Sequence, residues 1–301
     1  MLFLLRTMPA STAVKPACIM HTRTAQMSIQ LVLTASNELT IDPSVTLWLG
    51  ACIGPLCTKI KQAACPCALQ LFNCFLLTLD MLDCITLEPP ISATACVIWM
   101  HGLGADGNDF VPMVPELGLP RDHSVRFVFP NAPTMPVTIN GGYVMRAWYD
   151  ILSAELDKRA DETGVRKSAV AIDELIADQR AKDIASNRIV LAGFSQGGVI
   201  ALQTGLRYPE KLGGIMALST YLACAETLGA EASSSNRDLP IFYAHGSMDP
   251  VISIALAKLS KARLDTHGYK VQWHEYGMPH SVCAEEIEDI AAFLKRVLAI
   301  A

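Results

Sequence analysis

"NRIVLAGFSQGGVIALQTGL", residues 187–206, joins a β-branched apolar run to a helical one through Gly193-Phe194-Ser195-Gln196-Gly197. A sharp strand-to-helix turn has no room for bulky neighbours. Glycine two residues to either side removes those side chains, and the serine hydroxyl is pushed out above the sheet. At ordinary residue frequencies a Gly-x-Ser-x-Gly arises by chance in about one chain of this length in ten, so the flanking strand and helix carry the weight. Ser195 is a candidate nucleophile, and it has to find a base.

Outward from this turn the chain keeps alternating. "ACVIWMH", "VRFVFP", "NRIVLAG", "LGGIMALS", "IFYAHG" and "KVQWHEY" read as strands, and "SAVAIDELIADQRAKD" and "QGGVIALQTGLRYP" as helices. Strands alternating with helices imply an α/β fold, a mostly parallel sheet covered on both faces. In the last helical segment Ile287, Ile290, Ala291, Leu294, Val297 and Leu298 form one apolar stripe. Glu285 and Glu286 come early and Lys295 and Arg296 late, matching the helix dipole.

For a serine on such a turn the acid comes later in the chain and the histidine last. Asp249, in "IFYAHGSMDPVI", is the best-placed acid: Asp238 precedes its strand, and Asp265 and Asp289 fall in helical stretches. An Asp-Pro turn before a helix explains Asp249 equally well, and the two roles are compatible. Of His245, His267, His274 and His280, only His280 comes after the last strand in a loop, "GMPHSVC". Ser195, Asp249 and His280 meet the sequence requirements of a catalytic triad.

"HGLGADG", residues 101–107, carries the Gly-x-Gly-x-x-Gly spacing of a dinucleotide site. Such a site needs a long helix starting in the glycine run and an acid ending the next strand. Pro112 and Pro115 interrupt the one, and "VRFVFP" runs into "NAP" instead of the other. The other use of a His-Gly loop is to aim a main-chain N–H at an acyl oxygen, while the residue after the nucleophile supplies a second. That assigns the amides of Leu103 and Gln196 to an oxyanion hole.

"HGLGADGNDF", "PNAPTMPVTINGGYVMRAWYDI", "LAGFSQGG", "LSTYL", "HGSMDPVI" and "MPHSV" together resemble the carboxylesterase and acyl-protein thioesterase group of α/β-hydrolases, the phospholipase/carboxylesterase family, in its bacterial form. The resemblance runs from about Met81 to the C-terminus. It implies an α/β-hydrolase fold and a serine hydrolase cleaving acyl esters or thioesters through an acyl-enzyme. Ser195, Asp249 and His280 would be catalytic and Leu103 and Gln196 the oxyanion donors, in a cofactor-free enzyme that often dimerises. Alternatives within the class are an acyl-protein thioesterase or a lysophospholipase; from another class, a non-catalytic hydrolase-like binding protein.

Selectivity is expected in "NAPTMPVTINGGYVMRAWYD", which is too rich in Pro and Gly for regular structure and longer than most connections. Tyr143, Met145, Trp148 and Tyr149 either wall an acyl site or anchor this stretch to the core. Without a basic cluster near the motifs, a neutral acyl ester or thioester suits the chain better than a compact anion. Cys224 and Cys283 lack the turn context and read as small apolar packing residues.

The 301 residues, 51% hydrophobic, suffice for a sizeable core, and a net charge of -5 without a Lys/Arg cluster excludes nucleic acid as a partner. The 10 cysteines lie in a large chain without a secretory signal, which points to a reducing, cytoplasmic setting. Charge is sparse before Asp80, so the chain divides into 1–80 and 81–301. Residues 1–80 read as a poorly structured extension or a mis-assigned start, and their cysteines lack the paired spacing of a zinc site. The uncharged stretch 62–79 barely reaches the ~18 residues of a membrane span, and Gln62, Pro66, Gln70 and Asn73 count against one.

Overall fold

The computed structural model describes residues 31–33, 39–41, 81–153 and 161–300. β1 (Leu31–Leu33) pairs antiparallel with β2 (Leu39–Ile41). Apart from these strands, the expectations for 1–80, including the uncharged stretch 62–79, fall outside the described residues. Among the described residues no helix is long and apolar enough to cross a membrane.

Asp80–Ala301 forms a compact unit of its own. It opens with β3 (Cys84–Leu87), β4 (Ala95–Met100) and β5 (Val125–Pro130). β6 (Thr134–Val137) and β7 (Tyr143–Arg146) form a separate antiparallel hairpin. β8 (Ile189–Phe194), β9 (Gly214–Leu218), β10 (Ile241–Gly246) and β11 (Val271–Tyr276) complete a sheet of order β11-β10-β9-β8-β4-β5-β3. Every pairing in it is parallel except that of β3 with β5. The helices are α1 (Met113–Glu116), α2 (Glu162–Ala181), α3 (Gln196–Arg207), α4 (Leu228–Glu231), α5 (Ile254–Thr266) and α6 (Ala284–Val297).

The central strands are apolar throughout because successive side chains point to opposite faces and both faces are covered. In β4, Cys96, Ile98 and Met100 join a core layer with Ile172 and Ile176 of α2, Val199 and Ile200 of α3 and Leu264 of α5. Ala95, Val97 and Trp99 face the other layer, with Phe110, Phe127 and the Ile290, Phe293 and Leu294 of α6. Helices on both faces of a mostly parallel sheet are the architecture expected from the alternating runs. Strand order reverses between β4 and β8: the chain builds outward from β8 on one side and through β5 and β3 on the other. Parallel sheets open a crevice at the carboxyl ends of the strands flanking such a switch. The HGLG loop leaves β4 there, and Ser195 leaves β8 there.

Two local expectations change. The Pro- and Gly-rich stretch is not irregular, since its two ends pair as the β6–β7 hairpin. Gly141 and Gly142, at φ 66° and 80°, provide the left-handed backbone of the turn, and Asp150 secures its start by accepting from Thr138 N at 2.7 Å. α2 begins at Glu162, ahead of the apolar pattern, because the Asp161 carboxylate caps it by accepting from Gly164 N at 2.9 Å.

α6 buries most of its expected stripe, together with Phe293 and, against expectation, Glu286. Glu286 is fully buried, and no side chain among the described residues hydrogen-bonds its carboxyl group. Burial pushes its pKa from an ordinary 4.5 up to about 8, and only the Cys283 backbone acts to lower it. Between those pH values the folded protein holds a proton that the unfolded chain has lost. This group therefore lowers stability progressively as pH rises through that window, by at most about 1.4 kcal/mol per unit. A Glu286→Gln variant, free of this titration, should gain in Tm relative to wild type between pH 5 and pH 8. Thermal melts at both pH values measure the gap, and an unchanged gap contradicts a protonated buried Glu286.

Candidate active site

Ser195 sits between β8 and α3 at φ 55° and ψ -118°, a left-handed conformation that costs a side-chain-bearing residue about 1–3 kcal/mol. The surroundings hold it there. Its N–H donates to Leu218 O at 2.9 Å, and its carbonyl accepts from Thr220 Oγ1 at 2.7 Å. A Cβ on Gly193 would run into the Gly197 carbonyl, and one on Gly197 into the carbonyls of Met100 and His101. Gly193 is therefore required by the tight return of the chain onto Gly197, and Gly197 by the close approach of the turn to the end of β4.

Asp249 leaves the end of β10 with its side chain fully buried. Oδ1 accepts from the amides of Val251 and Ile252 at 2.8 and 2.9 Å, which is the Asp-Pro turn role. Oδ2 faces His280 Nδ1 at 2.6 Å. One carboxylate therefore holds the turn and contacts His280 at the same time. A carboxylate oxygen only accepts, so His280 carries a hydrogen on Nδ1. His280, in the loop after β11, lays its ring 4.7 Å from the ring of Phe194, the residue before the serine. Ser195 Oγ has no hydrogen-bond partner among the described residues, His280 included. Catalytic serine–histidine contacts are commonly long until substrate is bound.

The HGLG loop abuts the serine: a Cβ on Gly102 would lie 3.5 Å from Ser195 Cβ. The amides of Leu103 and Gln196 make no hydrogen bond to any described residue, so both are available. After the glycine run the chain makes a single 3₁₀ turn, Gly107–Asp109, and then the four-residue α1, not a dinucleotide-binding helix.

The four aromatic and thioether candidates separate. Tyr143 is 69% exposed at the hairpin tip, and Met145 Sδ lies against Gly104 of the HGLG loop. Trp148 and Tyr149 turn inward and are buried, as the anchoring alternative expects. Their hydrogen bonds explain why. Trp148 Nε1 donates to His101 O at 2.9 Å and its backbone N–H to Gln196 Oε1 at 3.1 Å, while Gln196 Nε2 donates to Tyr149 O at 2.9 Å. Ser168 Oγ donates to Trp148 O, and the Tyr149 hydroxyl meets that of Tyr221 at 3.1 Å. Trp148 thus braces the loop after β4 to the start of α3, the two segments that carry the Leu103 and Gln196 amides.

Because His280 alone follows the last strand in a loop, sequence reasoning weighed His245 only as a candidate base and set it aside. Fully buried, it places Nε2 2.8 Å from Ile252 O and 3.5 Å from Asp249 Oδ2. Burial lowers its pKa, so it stays neutral and leaves the Asp249 charge to His280. Its spacing of four residues before Asp249 was the only signal in the sequence. The thiols of Cys224 and Cys283 have raised pKa values, chiefly through burial, which disfavours the thiolate a nucleophile needs. Among the described residues no group of three His, Cys, Asp or Glu is placed to hold a metal ion.

A serine on a strained strand-to-helix turn, an Asp–His pair on the loops after later strands, and a mostly parallel sheet whose order reverses between β4 and β8 define an α/β-hydrolase. A profile for the family described as Phospholipase/Carboxylesterase matches residues 84–298, and the chain belongs to that family. It is 39% identical over 225 residues to acyl-protein thioesterase 1 of Mycosarcoma maydis, covering 69% of this chain and 93% of that one. The corresponding protein of Yarrowia lipolytica is 38% identical over 207 residues, covering 67% and 91%. The crystal structure of Zea mays acyl-protein thioesterase 2 superposes with a TM-score of 0.64 at 28% identity, covering 72% of this chain and 99% of that one. The protein is an enzyme, a hydrolase of the esterase and thioesterase kind.

Proposed function

We propose that the enzyme transfers an acyl group to water in two steps through Ser195. His280 Nε2 takes the Ser195 proton as Oγ bonds to the substrate carbonyl carbon, and the carbonyl electron pair moves onto oxygen. The tetrahedral intermediate collapses as His280 returns the proton to the leaving alcohol or thiol. Water, deprotonated by the same nitrogen, then frees the acid and Ser195. Asp249 holds the Nδ1–H tautomer and stabilises the imidazolium. The Leu103 and Gln196 amides meet the oxygen as its charge grows, and each such donor contributes on the order of 3 kcal/mol to the barrier reduction. The observation that supports this reading is the 2.6 Å contact between His280 Nδ1 and Asp249 Oδ2, with the His280 ring 4.7 Å from that of Phe194, the residue before Ser195.

The substrate is a neutral acyl ester or thioester, and the names of the fungal relatives weight it toward thioesters. The four described cysteines, Cys84, Cys96, Cys224 and Cys283, are free, which suits a reducing cytoplasm. Wild-type protein should be labelled covalently by a fluorophosphonate at one serine, identified as Ser195 by peptide mass spectrometry. Label elsewhere, or none, rejects the mechanism. Comparing kcat/KM for matched ester and thioester chain-length series ranks carboxylesterase, thioesterase and lysophospholipase preferences.

The base has to be neutral to accept a proton. Protonation of that nitrogen removes the base, so acid is expected to lower kcat/KM, which a pH series measures.

A further inference from the structure

Acyl transfer at Ser195 uses the backbone of the HGLG loop but not the side chain that opens it. His101, directly after β4, is 1% exposed, and both of its ring nitrogens have partners. Ala132 N–H donates to Nε2 at 3.0 Å, and Nδ1 lies 2.7 Å from Gly102 O. A backbone N–H only donates and a carbonyl only accepts, so Nε2 is bare and Nδ1 carries the hydrogen. Burial lowers the pKa of the ring and keeps it in this neutral form.

The carbonyl that His101 grips belongs to the same peptide unit as the Leu103 N–H. No peptide bond among the described residues is cis, and in a trans peptide C=O and N–H point in opposite directions. Gly102 O also accepts from Ala105 N–H at 3.3 Å, the longer of its two bonds; with the carbonyl drawn to the ring, the Leu103 N–H points the opposite way and has no acceptor among the described residues. The preceding carbonyl, His101 O, is tied down by Trp148 Nε1 at 2.9 Å, so the peptide units on both sides of Gly102 are held. A hydrogen bond onto the carbonyl also polarises its amide and strengthens the N–H as a donor.

We propose that His101 is a positioning residue of the oxyanion hole: its Nδ1–H bond to Gly102 O sets the direction of the Leu103 N–H, and the Ala132 N–H fixes the tautomer that makes this bond. Such a clamp acts on catalysis through the serine mechanism proposed for Ser195, and it rests on that reading.

Two near-isosteric variants separate the two arms of the ring. The amide nitrogen of asparagine sits close to the position of Nδ1, so His101→Asn keeps a donor for Gly102 O and loses the acceptor for Ala132. The end of a glutamine side chain reaches the position of Nε2, so His101→Gln keeps the acceptor and loses the donor. Packing alone favours glutamine, the larger side chain, whereas the clamp favours asparagine.

The experiment measures kcat, KM and Tm for wild type, Ser195→Ala, His101→Asn and His101→Gln on one acyl ester. His101→Gln should lose about 10- to 100-fold in kcat, with KM within about threefold of wild type. His101→Asn should retain the larger kcat even where its Tm is the lower of the two. Equal kcat values, or kcat varying in the order of Tm, overturn the clamp. Wild type without Ser195-dependent turnover overturns the mechanism instead, and with it the catalytic meaning of the clamp. ¹⁵N NMR of the His101 ring gives a readout apart from activity: a protonated Nδ1 and a bare Nε2 at neutral pH are expected, and the reverse tautomer refutes the proposal.

Discussion

Ser195→Ala is expected to lower kcat by about 10⁴ to 10⁶ while Tm stays close to that of wild type. The loss is large because the variant has no atom to form the acyl-enzyme. What activity remains comes from the amides and from substrate binding, which in such sites still give about 10³- to 10⁴-fold over water. The fold is spared for a reason visible at the turn. Ser195 Oγ has no partner among the described residues, so its removal breaks no hydrogen bond. The strained backbone is held by Leu218 O and Thr220 Oγ1, which contact main-chain atoms that alanine retains. Turnover measured alongside a thermal melt tests both halves. A variant within tenfold of wild-type kcat would place the chemistry elsewhere, and a collapsed Tm would leave the loss uninterpretable as catalysis.

The second large effect is expected from Asp249→Asn, about 10⁴-fold in kcat. The Oδ1 position keeps its two acceptor bonds, from Val251 and Ile252, because an amide oxygen serves there as well as a carboxylate oxygen. That orientation turns the amide nitrogen, a donor, onto His280 Nδ1. The histidine responds by shifting its hydrogen to Nε2, the nitrogen that should receive the serine proton, and the base is lost by tautomer with its position unchanged. Steady-state kinetics with a circular dichroism control read this directly. An Asp249→Asn enzyme that retains more than a tenth of wild-type kcat would mean that Asp249 serves only the turn.

The strands and the order Ser195, Asp249, His280 could be read along the chain because each rests on local information. An apolar run of six residues marks a buried strand whatever its neighbours, and a glycine pair around a serine marks a tight turn from steric need alone. The aromatic residues after the hairpin were ambiguous for the opposite reason. Whether Trp148 lines a pocket or braces a loop depends on His101 and Gln196, 47 and 48 residues away in sequence. The spacing around Glu286 fitted the helix dipole, yet its burial comes from how α6 lies on the sheet. A Pro- and Gly-rich segment looked irregular until its two ends were paired across the turn.

By itself the sequence determined the residue types, their order and the switch between strand and helix periods, which together set an α/β sheet with a serine at one strand end. Only the tertiary structure decided which of these side chains come together and which brace the loops that carry them. Sheet order brings β4 and β8 side by side, and with them hydrogen-bond partners that lie tens of residues apart. Those partners, not residue identity, determine which nitrogen of a histidine carries its proton and which way an amide points.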